Sequence, residues 1–240
     1  MPDSIGPDET LDVLCGEKLR LVQRKKGYRF SIDSLFLANF VHLNRHERLL
    51  DVGTGCGIIP IYLSIMGYGN PLVGIEIQEC LFDLAVRNQL LNGCDNVQFV
   101  RGDVNSFRFP HGFHAVVSNP PYVRESTGRK SPTAERLLAR HESLLKLPAL
   151  LGAASSSLLG KKGRLYIIYP VSRLAEVLAE SRARGLEPRR LRFIHSREGE
   201  RARLFLLECM REGGVEVKVE KPLYVFSGDR YTEEVQAYYR

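Results

Sequence analysis

The sequence contains no uninterrupted apolar run of the roughly 18 residues that a membrane-spanning helix needs. Its start, Met1 to Asp12, is acidic and has no apolar core of the kind a secretory signal carries, so no export signal is expected. Cysteine is sparse and scattered: Cys15, Cys56, Cys80, Cys94 and Cys209 are odd in number, and no two have C-x-x-C spacing. That pattern argues against a disulfide framework or a zinc site and for reduced thiols in a cytoplasm. His42 and His46 stand four residues apart with no third ligand nearby, so they predict no metal. There is no internal repeat or low-complexity tract, and Ser155-Ser156-Ser157 is too short to act as a linker.

What is present suits a soluble globular protein with a substantial core. The 240 residues are 44% hydrophobic and 26% charged, enough for one large domain or two small ones. The net charge of +6 is unevenly spread. Residues 49–119 carry −3, whereas residues 17–48 carry +5, residues 120–146 carry +3 and residues 161–211 carry +7. A mildly acidic centre between basic segments fits a polyanion such as RNA; it fits equally well arginine-rich faces that are merely solvated.

Residues 1–16 read as a poorly ordered lead-in to an N-terminal extension over 1–47, which holds a strand pair and a helix. Lys18 to Gln23 partly alternates like a strand, and Lys25-Lys26-Gly27 reads as a turn. Ser31 is placed to cap a helix from Ile32 to about Leu43, with Ile32, Leu35, Phe36, Phe40 and Leu43 on one face. Ser31 and Asp33 either cap that helix or line a ligand site, and capping is preferred.

From Arg48 onward strands and helices alternate. Strands are expected at 49–52, 71–75, 96–100, 113–117 and 164–169, and helices at 58–66, 78–91, 133–159 (interrupted near Pro148 and Gly152) and 171–183. Strands at 191–195 and 203–209 have no helix between them. This order predicts an α/β fold: a seven-stranded, mostly parallel sheet with an antiparallel edge strand and helices on both faces. Residues 48–240 form this domain, with a C-terminal extension from about 213 holding a short strand pair (215–219 with 223–226) and a small helical tail.

Four strand ends carry the chemistry. Asp51-Val52-Gly53-Thr54-Gly55-Cys56-Gly57 lies between a strand and a helix, where glycines permit a tight turn and close approach of a ligand to the backbone. The spacing is G-x-G-x-G, not the G-x-G-x-x-G of dinucleotide sites. Glu76 ends the second strand, where a carboxylate can accept from both hydroxyls of a ribose. Asp103 follows the third strand, where a carboxylate can accept from an adenine amino group. At the fourth end, Ser118-Asn119-Pro120-Pro121-Tyr122 stops the strand abruptly, because each proline lacks an N–H and fixes its own φ. It reads as an ordinary strand-ending turn or as a holder for a flat, amine-bearing ring. In the second reading the Asn119 amide oxygen and the Pro120 carbonyl accept two hydrogen bonds while Tyr122 stacks. Ligands of open α/β sheets bind outside the carboxyl ends of strands, which makes these four ends one crevice. Cys56, in the glycine loop, reads as a small residue fitting a turn, not as a nucleophile.

Together, D-x-G-x-G-x-G, the acids at positions 76 and 103 and N-P-P-Y resemble the Rossmann-like (class I) S-adenosylmethionine-dependent methyltransferases over about residues 48–210. N-P-P-Y in this position is similar to enzymes that methylate a nitrogen conjugated to a π-system, either adenine amino groups or glutamine side-chain amides. Outside the core, Gln23 to Ser34, Ser126 to Glu142 and Pro222 to Val235 look like the corresponding segments of bacterial tRNA1(Val) adenine-N6-methyltransferases.

The resemblance implies S-adenosyl-L-methionine as cofactor, S-adenosyl-L-homocysteine as product and tRNA as partner. Asp51, Gly53, Thr54, Gly55, Cys56, Gly57, Glu76, Asp103 and Asn119 would bind the cofactor. Asn119, Pro120, Pro121 and Tyr122 would form the catalytic turn. Lys25, Lys26 and Arg29 before the core, and Arg124, Arg129, Lys130, Arg136 and Arg140 after the motif, would meet RNA phosphates. His141 is structural or tRNA-facing. A protein glutamine methyltransferase is the runner-up; that class has a larger N-terminal helical domain, for which 47 residues are too few. A non-catalytic RNA-binding relative is the third reading, against which the intact Gly53, Glu76, Asp103 and Asn119 stand. The oligomeric state is not legible.

Overall fold

The structure, a computed structural model, describes residues 5–26, 29–120 and 146–239. A hairpin of β1 (Glu9–Leu14) and β2 (Leu19–Arg24) is followed by α1 (Ile32–Phe40). Then come β3 (Leu49–Val52), α2 (Ile58–Ile65), β4 (Leu72–Glu76), α3 (Glu79–Leu91), β5 (Val97–Arg101) and β6 (Ala115–Ser118). After the segment outside the described residues, α4 (Leu147–Ser157), β7 (Arg164–Pro170), α5 (Leu174–Arg182), β8 (Leu186–His195) and β9 (Ala202–Arg211) complete the central layer. Four two-residue strands, β10 (Lys218–Val219), β11 (Leu223–Tyr224), β12 (Phe226–Ser227) and β13 (Arg230–Tyr231), lead to α6 (Glu233–Ala237).

The central sheet runs β10-β8-β9-β7-β6-β3-β4-β5, with β11 also on β8. All its pairings are parallel except those of β9 with β7 and β8. The seven-stranded core is therefore present, with its antiparallel strand one place in from the edge, and β10 and β11 added to β8. Strands β3, β4, β6 and β7 are buried on both faces, as parallel strands under helices must be, whereas β5 at the edge is partly exposed. Successive residues alternate between two apolar layers. Leu49, Val117, Tyr166 and Ile168 face α1, α2 and the hairpin. Leu50, Val116, Leu165, Ile167 and Tyr169 face α4 and α5.

The N-terminal hairpin is ordered by a helix, not by its own sequence. Asn88 of α3 accepts from Val22 N (2.7 Å) and donates to Val22 O (3.1 Å). Asn92, one turn on, does the same with Arg20 N (2.9 Å) and Arg20 O (2.7 Å). Four helical residues rise about 6 Å and two strand residues about 6.6 Å, so the two amides match the strand's repeat. They satisfy the free edge of β2 as a neighbouring strand would. Residues 9–14, expected as a lead-in, are thereby a strand, paired from Glu9↔Arg24 to Leu14↔Leu19.

Three further expectations are corrected. Strand β8 starts at Leu186, not at 191; Pro188 is accommodated by an irregularity in the β8–β9 register between Pro188 and Arg190, which spares the missing donor. The segments 215–219 and 223–226 do not pair with each other, since β10 and β11 each add in parallel to β8. Ser31 stands before α1 in extended conformation, but its side chain makes no capping bond. Among the described residues, no helix is long and apolar enough to cross a membrane, and no three His, Cys, Asp or Glu converge on a metal position.

Candidate active site

The ends of four adjacent strands are stitched together. Ser118 at the end of β6 donates Oγ–H to Val52 O of β3 (2.7 Å). Gly53 N and Thr54 N both donate to Ile75 O of β4 (3.0 and 3.1 Å), and Gly102 N, just past β5, donates to Glu76 O (2.9 Å). The residues singled out at 51–57, 76, 103 and 119 therefore line one sheet edge, in the spatial order Asn119, glycine loop, Glu76, Asp103.

The glycine loop needs its glycines for two separate reasons. Gly53, Gly55 and Gly57 all have positive φ (71°, 60° and 85°), a region costly for residues bearing a Cβ. A Cβ on Gly57 would also lie 2.6 Å from the Phe99 ring of β5. Phe99 likewise covers Gly74, its partner across the β4–β5 ladder. The loop is thus pressed against the sheet by a β5 aromatic that its sequence does not single out.

Glu76 is buried and fixes the loop. Its Oε2 accepts from Gly55 N (3.0 Å), and its Oε1 accepts from Gln78 N (2.9 Å). Each carboxylate oxygen has two acceptor positions: Oε2 keeps one open, and the second on Oε1 is met only by a long contact from Gln78 Nε2 (3.5 Å) that a ribose hydroxyl can replace. Asp103 lies exposed beyond β5, and its Oδ1 accepts from the backbone N and the side-chain Nδ2 of Asn105 (2.9 and 2.8 Å), an Asx turn. Its other oxygen is the one suited to an adenine amino group.

Asp51 carries the clearest sign of a missing cationic partner. It is fully buried, and its Oδ2 accepts from Thr54 Oγ1 (2.6 Å), while Oδ1 has no hydrogen-bond partner among the described residues. Burial pushes its carboxyl up to about 7; the Thr54 hydroxyl works against this and the neighbouring Glu76 charge adds to it. A buried, half-satisfied carboxylate beside a positive-φ glycine loop fits a ligand bearing an ammonium group, such as the amino-acid end of S-adenosyl-L-methionine.

The sign of the resulting pH dependence is definite. An acid whose folded pKa is raised from 3.8 to about 7 destabilises the fold progressively as pH rises through that window. Asp51→Asn is therefore expected to raise the unfolding midpoint of the ligand-free protein at pH 8, the advantage shrinking toward pH 4, while weakening cofactor binding. Thermal unfolding across that pH range, with calorimetry for the ligand, checks both. A stability difference that does not change with pH counts against the assignment.

On the acceptor side, Asn119 sits at the end of β6, half-buried, with its Nδ2 donating to Ser34 Oγ of α1 (2.9 Å), and Pro120 beside it is buried. Pro121, Tyr122, Arg124, Arg129, Lys130, Arg136, Arg140 and His141 lie outside the described residues. Of the other expected RNA contacts, Lys25 and Lys26 are exposed, Lys25 donating Nζ–H to Pro7 O (2.7 Å). Arg29 is ion-paired with Asp12 (2.8 Å) and donates to Thr10 Oγ1 (2.7 Å). Cys56 is buried with its thiol pushed up to about 12 by burial, so it is protonated and unsuited to attack. His42 and His46 are exposed, in the loop that follows α1.

Two polar residues of the site were not read as such in the sequence. Ser34 lies inside the Ser31-Ile32-Asp33-Ser34 run and contacts Asn119. Asn88 joins the glycine loop to the hairpin, since its Nδ2 also donates to Cys56 O (3.0 Å). Its signal is a polar residue on the buried face of α3, in register with Leu81, Leu84 and Ala85.

This geometry agrees with the comparisons to known proteins. The family model for the methyltransferase small domain matches residues 28–169. A Tolumonas auensis protein named tRNA1(Val) (adenine(37)-N6)-methyltransferase is 27% identical over 222 residues, 91% of either chain. One of the same name from Actinobacillus pleuropneumoniae serotype 7 is 28% identical over 87% of either chain. Among solved structures, a predicted O-methyltransferase from Agrobacterium tumefaciens superposes with a TM-score of 0.67 at 20% identity, covering 85% of this chain and 94% of its own. A Pyrococcus furiosus methyltransferase does so with a TM-score of 0.58 at 17% identity, covering 80% of this chain and 89% of its own. With its glycine loop, strand-end acids and Asn119 at one sheet edge, the chain belongs to the methyltransferase small domain family and is an S-adenosyl-L-methionine-dependent methyltransferase.

Proposed function

We propose that this protein methylates the 6-amino group of an adenosine in RNA, in the anticodon loop of a tRNA, with a valine tRNA as the substrate indicated by its relatives. The observation that carries the reading is Asn119 at the end of β6, beside the cofactor loop, with its Nδ2 engaged by Ser34 and its Oδ1 without a donor among the described residues.

When bound, S-adenosyl-L-methionine supplies a methyl group on a cationic sulfur. The chain's task is to make a poor nucleophile attack it. An amine conjugated to a purine ring has its lone pair delocalised into that ring. Asn119 Oδ1 and the Pro120 carbonyl each accept one of its N–H bonds, which favours a more tetrahedral nitrogen with the lone pair aimed at the methyl carbon. Neither group titrates, so they orient without acting as strong bases. Tyr122 stacks on the base, for about 1–3 kcal/mol. With the cofactor bound, the amine nitrogen would take the methyl group from the sulfonium, leaving the thioether product, and one amine proton would pass to solvent. Positioning and desolvation supply most of the acceleration. A nucleotide of an anticodon loop reaches such a pocket at lower cost than one stacked in a duplex. Lys25, Lys26 and the cations of 124–140 are proposed to meet RNA phosphates, and cytoplasmic residence follows from this substrate.

Incubation with methyl-labelled cofactor and total tRNA, followed by nucleoside analysis, is expected to place the label in 6-methyladenosine. Label found only in a protein substrate overturns the RNA reading and favours glutamine methylation.

A further inference from the structure

An asparagine side chain is chemically two-faced. Its oxygen accepts and its nitrogen donates, and a half-turn about the last side-chain bond exchanges them. The proposed reaction tolerates only one orientation. With Oδ1 toward the amine, Asn119 accepts an N–H; with Nδ2 toward it, two donors confront each other and the base is pushed away. The catalytic turn itself does not choose, because the prolines that follow Asn119 fix backbone angles, not the direction of its amide.

The choice is made from α1, which precedes the first strand of the central sheet. Ser34 lies in the first turn of α1, only 1% exposed, and its Oγ stands 2.9 Å from Nδ2 of Asn119, 85 residues away in sequence. The serine backbone is itself held: Ser34 N donates to Ser31 O (2.9 Å), and the adjoining Leu35, Phe36 and Leu37 are buried. α1 also packs on the α2 side of the sheet, where Asn39 Nδ2 donates to Tyr62 Oη (2.8 Å). A serine hydroxyl can donate or accept; here its oxygen is held at a fixed point and accepts, with Nδ2 as the atom that meets it.

We infer that Ser34 is a positioning residue for methyl transfer: by accepting a hydrogen bond from Nδ2 of Asn119, it locks the amide with Oδ1 toward the substrate amine. This rests on the proposed role of Asn119, and it gives α1, ahead of the central sheet's first strand, a part in catalysis. Ser34→Ala removes one hydroxyl and leaves no cavity larger than an atom, so the fold is retained.

Turnover is measured for Ser34→Ala, Asn119→Ala and the double variant, together with cofactor binding and the side-chain amide signals of Asn119 in 15N-labelled protein. Asn119→Ala identifies those signals by their loss. The expected result is a fall in kcat of about 30-fold for Ser34→Ala, with cofactor affinity within about twofold, because the hydroxyl orients a transition-state contact and not the cofactor. Ser34→Ala made in the Asn119→Ala background is expected to cost nothing further. The Asn119 amide protons are expected to exchange with solvent at least about tenfold faster once Oγ is removed.

Unchanged kcat in Ser34→Ala, an equal loss in the Asn119→Ala background, or unaltered amide exchange would each overturn the inference. The amide readout needs no nucleic acid. A wild-type protein that leaves tRNA unlabelled but shows the amide response loses the proposed substrate and keeps the positioning role. A protein that labels tRNA but shows no response to Ser34→Ala does the reverse.

Discussion

Asn119→Ala is expected to lower methyl transfer about a thousandfold, equivalent to ~4 kcal/mol of transition-state stabilisation, while cofactor binding changes by no more than about tenfold, or ~1.4 kcal/mol. The asymmetry follows from where Asn119 sits. It ends β6, whereas the carboxylates and glycines that suit the cofactor belong to β3, β4 and β5 and are tied to one another through Gly55, Thr54 and Glu76. Removing the amide deletes an acceptor for the substrate amine and leaves that bonded set untouched. It also strands the Ser34 hydroxyl, which is buried, so a modest loss of stability accompanies the loss of turnover. Single-turnover rates with saturating cofactor, set beside a binding isotherm, separate the two effects. Equal losses in rate and in cofactor affinity would make Asn119 a structural residue of the strand end.

Glu76→Ala is expected to weaken cofactor binding by at least about a hundredfold, with a smaller effect on the rate at saturation. Two contributions act together. The variant lacks the charged acceptor for both ribose hydroxyls, each such hydrogen bond being worth about 1.5–3 kcal/mol. It also releases Gly55 N, which Glu76 Oε2 now holds, and so loosens a loop whose glycines already sit at positive φ. Glu76→Gln separates the two. The amide oxygen can still accept from Gly55 N, while the nitrogen that replaces Oε1 exchanges one ribose acceptor for a donor and also costs Gln78 N its acceptor. Calorimetry on both variants is decisive, and unchanged affinity in Glu76→Ala would move the ribose contact elsewhere.

Much of this site could be read from the chain because its signals are local. A glycine loop between an apolar strand and a helix, an acid at each of the next two strand ends, and Asn-Pro-Pro-Tyr after a fourth strand are runs of adjacent residues whose backbone demands follow from their own side chains. The alternation of strands and helices fixed the parallel sheet for a similar reason: right-handed crossovers leave few ways to arrange such units. Burial on both faces of β3, β6 and β7 was visible as unbroken apolar stretches such as Ala115-Val116-Val117.

The features that escaped sequence reading depend on partners distant in the chain. Strand β1 has the unremarkable sequence Glu-Thr-Leu-Asp-Val-Leu and exists because β2 pairs with it, while β2 is held by amides on a helix 66 and 72 residues further on. Strand β8 begins at Leu186 rather than at the expected 191 and includes Pro188, which it tolerates through an irregular register with β9. The valine-rich 215–219 segment alternates like half of a hairpin, yet β10 joins β8, whose other edge is already held in the sheet by β9.

For this protein, then, the sequence by itself determined the kind of fold, the cofactor class and the identity of the residues at each strand end, since these follow from periodicity, turn chemistry and side-chain type. Only the tertiary structure decided how those residues are oriented. That Glu76 grips Gly55, that Asp51 keeps a buried oxygen without a partner among the described residues, and that Asn119 turns its nitrogen to Ser34 are facts about contacts between separate elements. A hydrogen bond needs its donor within about 3 Å of its acceptor, and no local pattern in the chain specifies a distance across 85 residues.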